Sequence, residues 1–213
     1  MPLISLFASD PLAAISTAFA LIISLTFHEC AHALVATKLG DHTAEDNGRL
    51  TLNPLAHLDP IGTIALLLVG FGWGKPVPYN PGNLKRKTDE LAIALAGPIS
   101  NLLLALLVGL ALSVLRHSSF GQISLIITVL GIIGSLNVIL AVFNLLPLPP
   151  LDGSKIVMMF LSPMQRIIYL AQGQWVFLAL ILIDVATGAG IIFRLMRPLL
   201  ILFSQLTGVP SPI

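Results

Sequence analysis

His28, Glu29 and His32 form an H-E-x-x-H pattern, and these three side chains together suit hydrolytic chemistry. On a helix, histidines four positions apart project from one face, close enough to grip a single zinc ion. The glutamate beside the first histidine can reach a zinc-bound water and take its proton. From Pro11 to Val35 the chain carries no charge other than Glu29. Ionisable side chains at membrane depth are costly and mark functional positions. The pattern therefore points to a metal centre within a membrane.

A catalytic zinc site usually takes three protein ligands and keeps a fourth position open. Candidates for the third are His42, His57, His117 and the carboxylates. Asp152 stands out: it is the only acid between Glu90 and Asp184, and it follows Pro147, Pro149 and Pro150. To meet His28 and His32 it must lie on their side of the membrane. That holds if Leu91–Leu115 and Gln122–Leu146 form an out-and-back pair and Ile61–Phe71 does not cross. The latter run is short of the roughly 20 apolar residues that a spanning helix needs, so length and parity agree.

Composition places these elements in a bilayer. Of 213 residues, 56% are hydrophobic and 10% charged. The mean hydropathy is +0.95, whereas soluble domains carry about 25% charged residues. A net charge of +1 with no basic arm gives no sign of a nucleic-acid partner, and one cysteine, Cys30, excludes an intrachain disulfide. The expected fold is an all-α integral membrane protein with five to six transmembrane helices. A short non-spanning element and a re-entrant or extended loop lie between the first helix and the next full span.

The first helix opens at Asp10-Pro11, a cap followed by a first-turn proline, and ends near Gly40. It is expected to be retained rather than cleaved as a signal segment, since the metal motif lies on it. Gly48–Pro54 suggests a short extended piece, and Asp59-Pro60 opens the short apolar element. The prolines of 74–87 suggest an extended loop ending in Lys85-Arg86-Lys87. Arg166–Val185 reads as a span and Ala189–Leu206 as a weaker one, interrupted by Arg194 and Arg197. The whole reads as a single transmembrane domain, with a core over about residues 10–155 and additional helices over about 156–213. Lys38, Arg49, Lys75, Lys85, Arg86, Lys87, Lys155 and Arg166 flank the site's side, against Arg116 on the other. By the positive-inside rule the site faces the cytoplasm and the N-terminus lies outside.

Three segments carry a family resemblance. His28-Glu29-Cys30-Ala31-His32 and Asn144-Leu145-Leu146-Pro147-Leu148-Pro149-Pro150-Leu151-Asp152-Gly153 match H-E-x-x-H and N-x-x-P-x-x-x-L-D-G, while Gly97-Pro98-Ile99-Ser100-Asn101 matches G-P-x-x-N. Over roughly Asp10–Lys155 the chain resembles the site-2 proteases, intramembrane zinc metalloproteases, in their small prokaryotic form without PDZ or CBS domains. The resemblance implies one Zn2+ per chain on His28, His32 and Asp152, with Glu29 as general base. It also implies regulated intramembrane proteolysis in a prokaryotic cell membrane, and a substrate that is a transmembrane helix unwound locally. Asn144 is then placed to hydrogen-bond the substrate backbone or the developing oxyanion. An extended segment at Arg49–Asn53 or Lys75–Tyr79 can pair with the unwound strand.

The remaining polar residues read more plainly. Cys30 is a packing residue, His42 and His117 are solvated, and Lys85-Arg86-Lys87 faces lipid headgroups. Gly97-Pro98 and Asn101 read as helix-packing devices. His57 stands open between a structural hydrogen bond and a polar role beside the site. A metal transporter is the competing class; it would show two related halves of broken helices, and no such symmetry is evident.

Overall fold

The structure, a computed structural model, describes residues 3–116 and 124–210. His117 and the turn expected at 116–121 lie at or beyond the edge of the described residues. Helices α1 (Leu3–Ser9), α2 (Pro11–Lys38) and α3 (Thr43–Asp46) come first, then α4 (Pro60–Val69). They are followed by α5 (Lys87–Arg116), α6 (Ser124–Asn144), α7 (Ser154–Met158), α8 (Pro163–Thr187) and α9 (Ile191–Thr207). No strand forms among the described residues; the one bridge pairs Leu58 with Gly74 antiparallel.

The ends of α2 and α4 follow from local chemistry. Asp10 accepts a hydrogen bond from the Ala13 amide at 3.0 Å, and Asp59 from the Gly62 amide at 2.7 Å. A proline occupies the first turn in each case, where the missing N–H costs nothing. Among the described residues four helices, α2, α5, α6 and α8, are long and apolar enough to cross a membrane, and the protein is an all-α integral membrane protein. At about 1.5 Å per residue α4 spans only half of the roughly 30 Å hydrocarbon thickness, so it does not cross. Helix α9, the weaker span of the sequence reading, has 17 residues and carries Arg194 and Arg197 exposed.

Helices α2, α5 and α6 make the core. Their contacts are built on small residues: Ala20, Ala33 and Ala36 from α2, Ala94 and Ala105 from α5, and Ala141 from α6 are all buried. In lipid, where apolar burial alone does not drive helices together, such residues let backbones approach closely. The buried face of α9, Met196 and Leu200, packs with Ala105, Val138 and Val142. Helix α8 is largely uncovered. It touches the core through Gly173 against the Pro149 ring, a Tyr169 hydroxyl donating to Pro147 O at 2.9 Å, and Phe177.

The polar segment after α2 is anchored rather than loose. The Asp41 carboxylate accepts from the Thr43 hydroxyl (2.6 Å), the Asn80 amide (2.7 Å) and the Asn83 side chain (2.8 Å). Burial works against its charged form, but these donors win and hold its pKa below the ordinary aspartate value. A carboxylate with a depressed folded pKa contributes stability above its unfolded pKa and loses it as pH falls through the folded one. The anchor is therefore fully present at neutral pH. Asp41→Ala is expected to cost about 1–3 kcal/mol and to open residues 75–87 to limited proteolysis, read by mapping the cut sites.

Gly48–Pro54 does not form the extended piece that its sequence suggests. Thr51 Oγ1 accepts from the Asn53 amide at 3.1 Å, and Asn53 Oδ1 from the Leu55 amide at 3.1 Å. Short polar side chains satisfying the backbone locally replace a strand ladder, and a 3-10 turn follows at Pro54–Ala56.

Candidate metal centre and its cavity

Two elements bring the donor atoms together. His28 and His32 stand one above the other on α2, buried at 4% and 7% exposure. Asp152 arrives from the turn after α6. That turn is held by the Gly153 amide donating to Asn144 O at 2.7 Å and the Ser154 amide to Leu151 O at 3.0 Å. A Cβ at position 153 would lie 2.6 Å from Leu146 O, so this turn demands glycine after the aspartate.

The donor atoms face one another. His28 Nε2 and His32 Nε2 are 3.1 Å apart, and Asp152 Oδ2 lies 3.2 and 3.4 Å from them. These three residues form the one metal-capable cluster of histidine, cysteine and carboxylate among the described residues. Asp152 Oδ2 is buried and has no hydrogen-bond partner. Lone pairs so close repel unless a cation lies between them. Donors about 2.0–2.1 Å from a tetrahedral zinc are separated by roughly 3.3 Å, and the observed spacings match. The donor set thus fits a zinc ion with a fourth position open.

The far side of each imidazole is also bonded. His28 Nδ1 meets Asn101 Oδ1 at 2.6 Å, and His32 Nδ1 meets the Ile93 carbonyl at 2.7 Å. Both acceptors lie on α5, one turn on either side of Pro98, which has no amide to donate to the preceding turn. An Nδ1–H donated outward leaves Nε2 bare to face a metal. Gly97 passes directly beside the pair: a Cβ there would sit 2.5 Å from His28 Cε1 and 2.6 Å from its Nε2. Gly97→Ala is expected to lower zinc affinity by about 10–100-fold, measured by chelator competition on the purified protein.

Glu29, at 9% exposure, lines the same cavity of about 550 Å³ as His28, His32, Asn144 and Asp152. One part of the wall is apolar, made by Phe71 and Trp73 after α4, Ile93 on α5, Phe143 on α6, and Phe177 and Ile181 on α8, while Tyr79, Glu90 and Lys155 add polar groups. Phe71, Phe143 and Phe177 meet with ring centroids 6.1–6.4 Å apart. The Asn144 amide donates to Leu140 O at 3.0 Å and has a second N–H to offer.

Pro76, Val77 and Tyr79 form another wall, while Arg49–Asn53 lies outside it. This segment is fixed at both ends. The Lys75 amide donates to His57 O at 2.8 Å, and the Tyr79 hydroxyl donates to Glu90 Oε1 at 2.6 Å. Lys155 Nζ donates to Tyr79 (2.8 Å) and Glu90 (3.0 Å). Burial opposes the Lys155 charge, but these partners outweigh it and raise its pKa.

The other two histidines among the described residues, His57 and His42, differ. His57 is buried and its Nε2 meets Thr51 O at 2.9 Å, which makes it a structural loop residue away from the cavity. His42 is exposed and paired with Glu45 at 2.7 Å, which raises its pKa. Sequence reasoning took Asn101 and Gly97 for packing residues. Their role beside His28 was signalled only by the G-P-x-x-N match.

The comparisons with known proteins agree with this geometry. The profile of Peptidase family M50 matches residues 112–183, a stretch that includes Asp152. Over 144 residues the chain is 49% identical to the "Putative zinc metalloprotease YwhC" of Bacillus subtilis, covering 64% of this chain and 65% of that one. The chain is similar to peptidase family M50 over residues 112–183. Rip2 of Mycolicibacterium smegmatis, similarly named, is 33% identical over 170 residues, 76% of this chain and 63% of its own. MJ0611 of Methanocaldococcus jannaschii is 32% identical over 133 residues, 62% and 63% of the two chains. In each case the match spans just under two thirds of the relative's own length. No solved structure matches.

Proposed function

We propose that this chain is an M50-type intramembrane zinc metalloendopeptidase acting in regulated intramembrane proteolysis, with residues 10–155 as its catalytic core. The observation that carries the reading is the convergence of His28 Nε2, His32 Nε2 and Asp152 Oδ2 within 4.8 Å of one another, beside Glu29 in one cavity. These three residues would hold the ion. A zinc ion held there would supply Lewis acidity to a scissile carbonyl and would lower the pKa of a water toward neutrality. Glu29 takes the proton of the attacking water and passes it to the departing amine. Asn144 donates its remaining amide N–H to the substrate backbone or the developing oxyanion.

The substrate is a transmembrane segment. In a helix its peptide carbonyls are already bonded and shielded, so it unwinds locally before it is cut. Val77 and Tyr79 border the cavity between prolines that have no N–H, and we assign the pairing with the unwound strand to Lys75–Tyr79. The apolar remainder of the cavity receives the side chains.

The site faces the cytoplasm in this reading, supported by the basic residues that flank it. Lys85→Cys, in a chain with Cys30→Ala, is expected to resist a membrane-impermeant thiol reagent in intact cells and to label after lysis; labelling of intact cells reverses the orientation. The function itself is tested by co-expression with a panel of single-pass membrane proteins. New fragments are expected with the wild type, lost on chelation and restored by zinc. A chain that carries metal ions into vesicles and yields no fragment from any substrate is a transporter, and the proposal fails.

A further inference from the structure

Behind His28, on the side away from the cavity, a polar chain crosses the three core helices. Ser24, Asn101 and Asn137, from α2, α5 and α6, each have 0% exposure. Asn101 Nδ2 donates to Asn137 Oδ1 at 2.7 Å and to the Ser24 carbonyl at 3.2 Å. Asn137 Nδ2 donates to the Ile133 carbonyl at 2.8 Å and to Ser24 Oγ at 2.8 Å. Ser24 Oγ in turn donates to the Ala20 carbonyl at 2.7 Å.

The direction of this chain is set by backbone carbonyls, which only accept. Ile133 O requires the NH2 end of Asn137, so Asn137 Oδ1 faces Asn101. That oxygen, together with Ser24 O, requires the NH2 end of Asn101. Asn101 Oδ1 is therefore left toward His28, where it accepts only from a protonated Nδ1. In a neutral imidazole the lone pair then stands on Nε2, the atom that faces His32 and Asp152. A flipped Asn101 amide would set NH2 groups and carbonyl oxygens against their own kind in a fully buried place, where unmade hydrogen bonds are costly.

We infer that Asn137 is a positioning residue for His28, acting through Asn101 to keep Nδ1 protonated and Nε2 bare for the metal. This rests on the zinc-peptidase reading for the use made of Nε2. Neither Asn137 nor Ser24 belongs to the motifs of the metal centre; Asn137 lies seven residues before Asn144 on α6. Removing the bonds that orient a ligating histidine typically costs about 10–100-fold in metal affinity.

The test uses a pair of variants of one shape. Asn137→Thr keeps an oxygen that accepts from Asn101 and a hydroxyl hydrogen for Ile133 O, whereas Asn137→Val keeps neither. Zinc dissociation constants are measured by chelator competition on the full chain in detergent, at a temperature where both variants are folded. Asn137→Val is expected to bind zinc about 10–100-fold more weakly than Asn137→Thr. Equal affinities, with a difference in melting temperature alone, assign Asn137 to holding helices together and overturn the inference. If Asn137→Val gives no monodisperse protein, Asn137→Ser and Asn137→Ala repeat the comparison with the same two outcomes. The readout involves no cleavage. A chain that binds zinc through His28 yet cleaves nothing sinks the peptidase reading and leaves this inference standing. Glu29-dependent cleavage with equal affinities in the pair sinks this inference alone.

Discussion

Replacing Glu29 with glutamine is expected to lower peptide-bond cleavage by about 10²–10⁴-fold, the range for loss of a general base, while zinc stays bound. The amide has nearly the shape of the carboxylate, so the packing around α2 is kept. What it loses is basicity: glutamine cannot take a proton from water or carry it to the leaving amine. Glu29 is not among the atoms that converge on the metal position, since His28 Nε2, His32 Nε2 and Asp152 Oδ2 form that set. It borders the same cavity with little exposure. The measurement is paired: fragment yield from a membrane substrate, and zinc per chain by atomic absorption. Full activity in Glu29→Gln would remove the base from the mechanism, and zinc loss would make Glu29 a ligand.

Asp152→Ala is expected to abolish cleavage and weaken zinc binding by more than about 100-fold, beyond the 10–100-fold typical of losing a supporting partner. Among the described residues, the carboxylate is the one member of the cluster from outside α2. Without it two imidazoles at i and i+4 remain, and two ligands leave a zinc site open on two sides. The turn that carries Asp152 survives the change. Its amides, Gly153 to Asn144 O and Ser154 to Leu151 O, and the Pro149 ring against Gly173 do not involve the aspartate side chain. The variant therefore folds, and the loss is read directly. Zinc raises the melting temperature of the wild type by binding the folded state and leaves that of Asp152→Ala unmoved. A zinc-dependent rise in the variant would show that another group supplies the third ligand.

Much of the fold was legible because its signals are local. Asp10-Pro11 and Asp59-Pro60 cap their helices through bonds within three residues, so no distant partner is needed to read them. The four long apolar helices and the short α4 follow from run length alone. Gly48–Pro54 was misread as extended because Thr51 and Asn53 can bond either to a neighbouring strand or to their own backbone, and sequence does not rank the two. Helix α9 resisted reading for a related reason: Arg194 and Arg197 are costly inside a span but ordinary on the uncovered side of a helix that packs by its other face.

The site divides along the same line. His28, Glu29 and His32 could be read from sequence by themselves, because helical periodicity places i and i+4 on one face wherever the helix lies. Asp152, 120 residues from His32, could still be reached by parity, because a membrane leaves a chain only two sides on which to place a turn. The closeness of Gly97 to the imidazoles, the bond from His28 to Asn101 and the relay through Asn137 to Ile133 O were decided only when α2, α5 and α6 packed together. Such bonds depend on the rotation and depth of each helix to within an ångström. Apolar periodicity says which residues can lie in lipid, but not which buried amide meets which ring nitrogen.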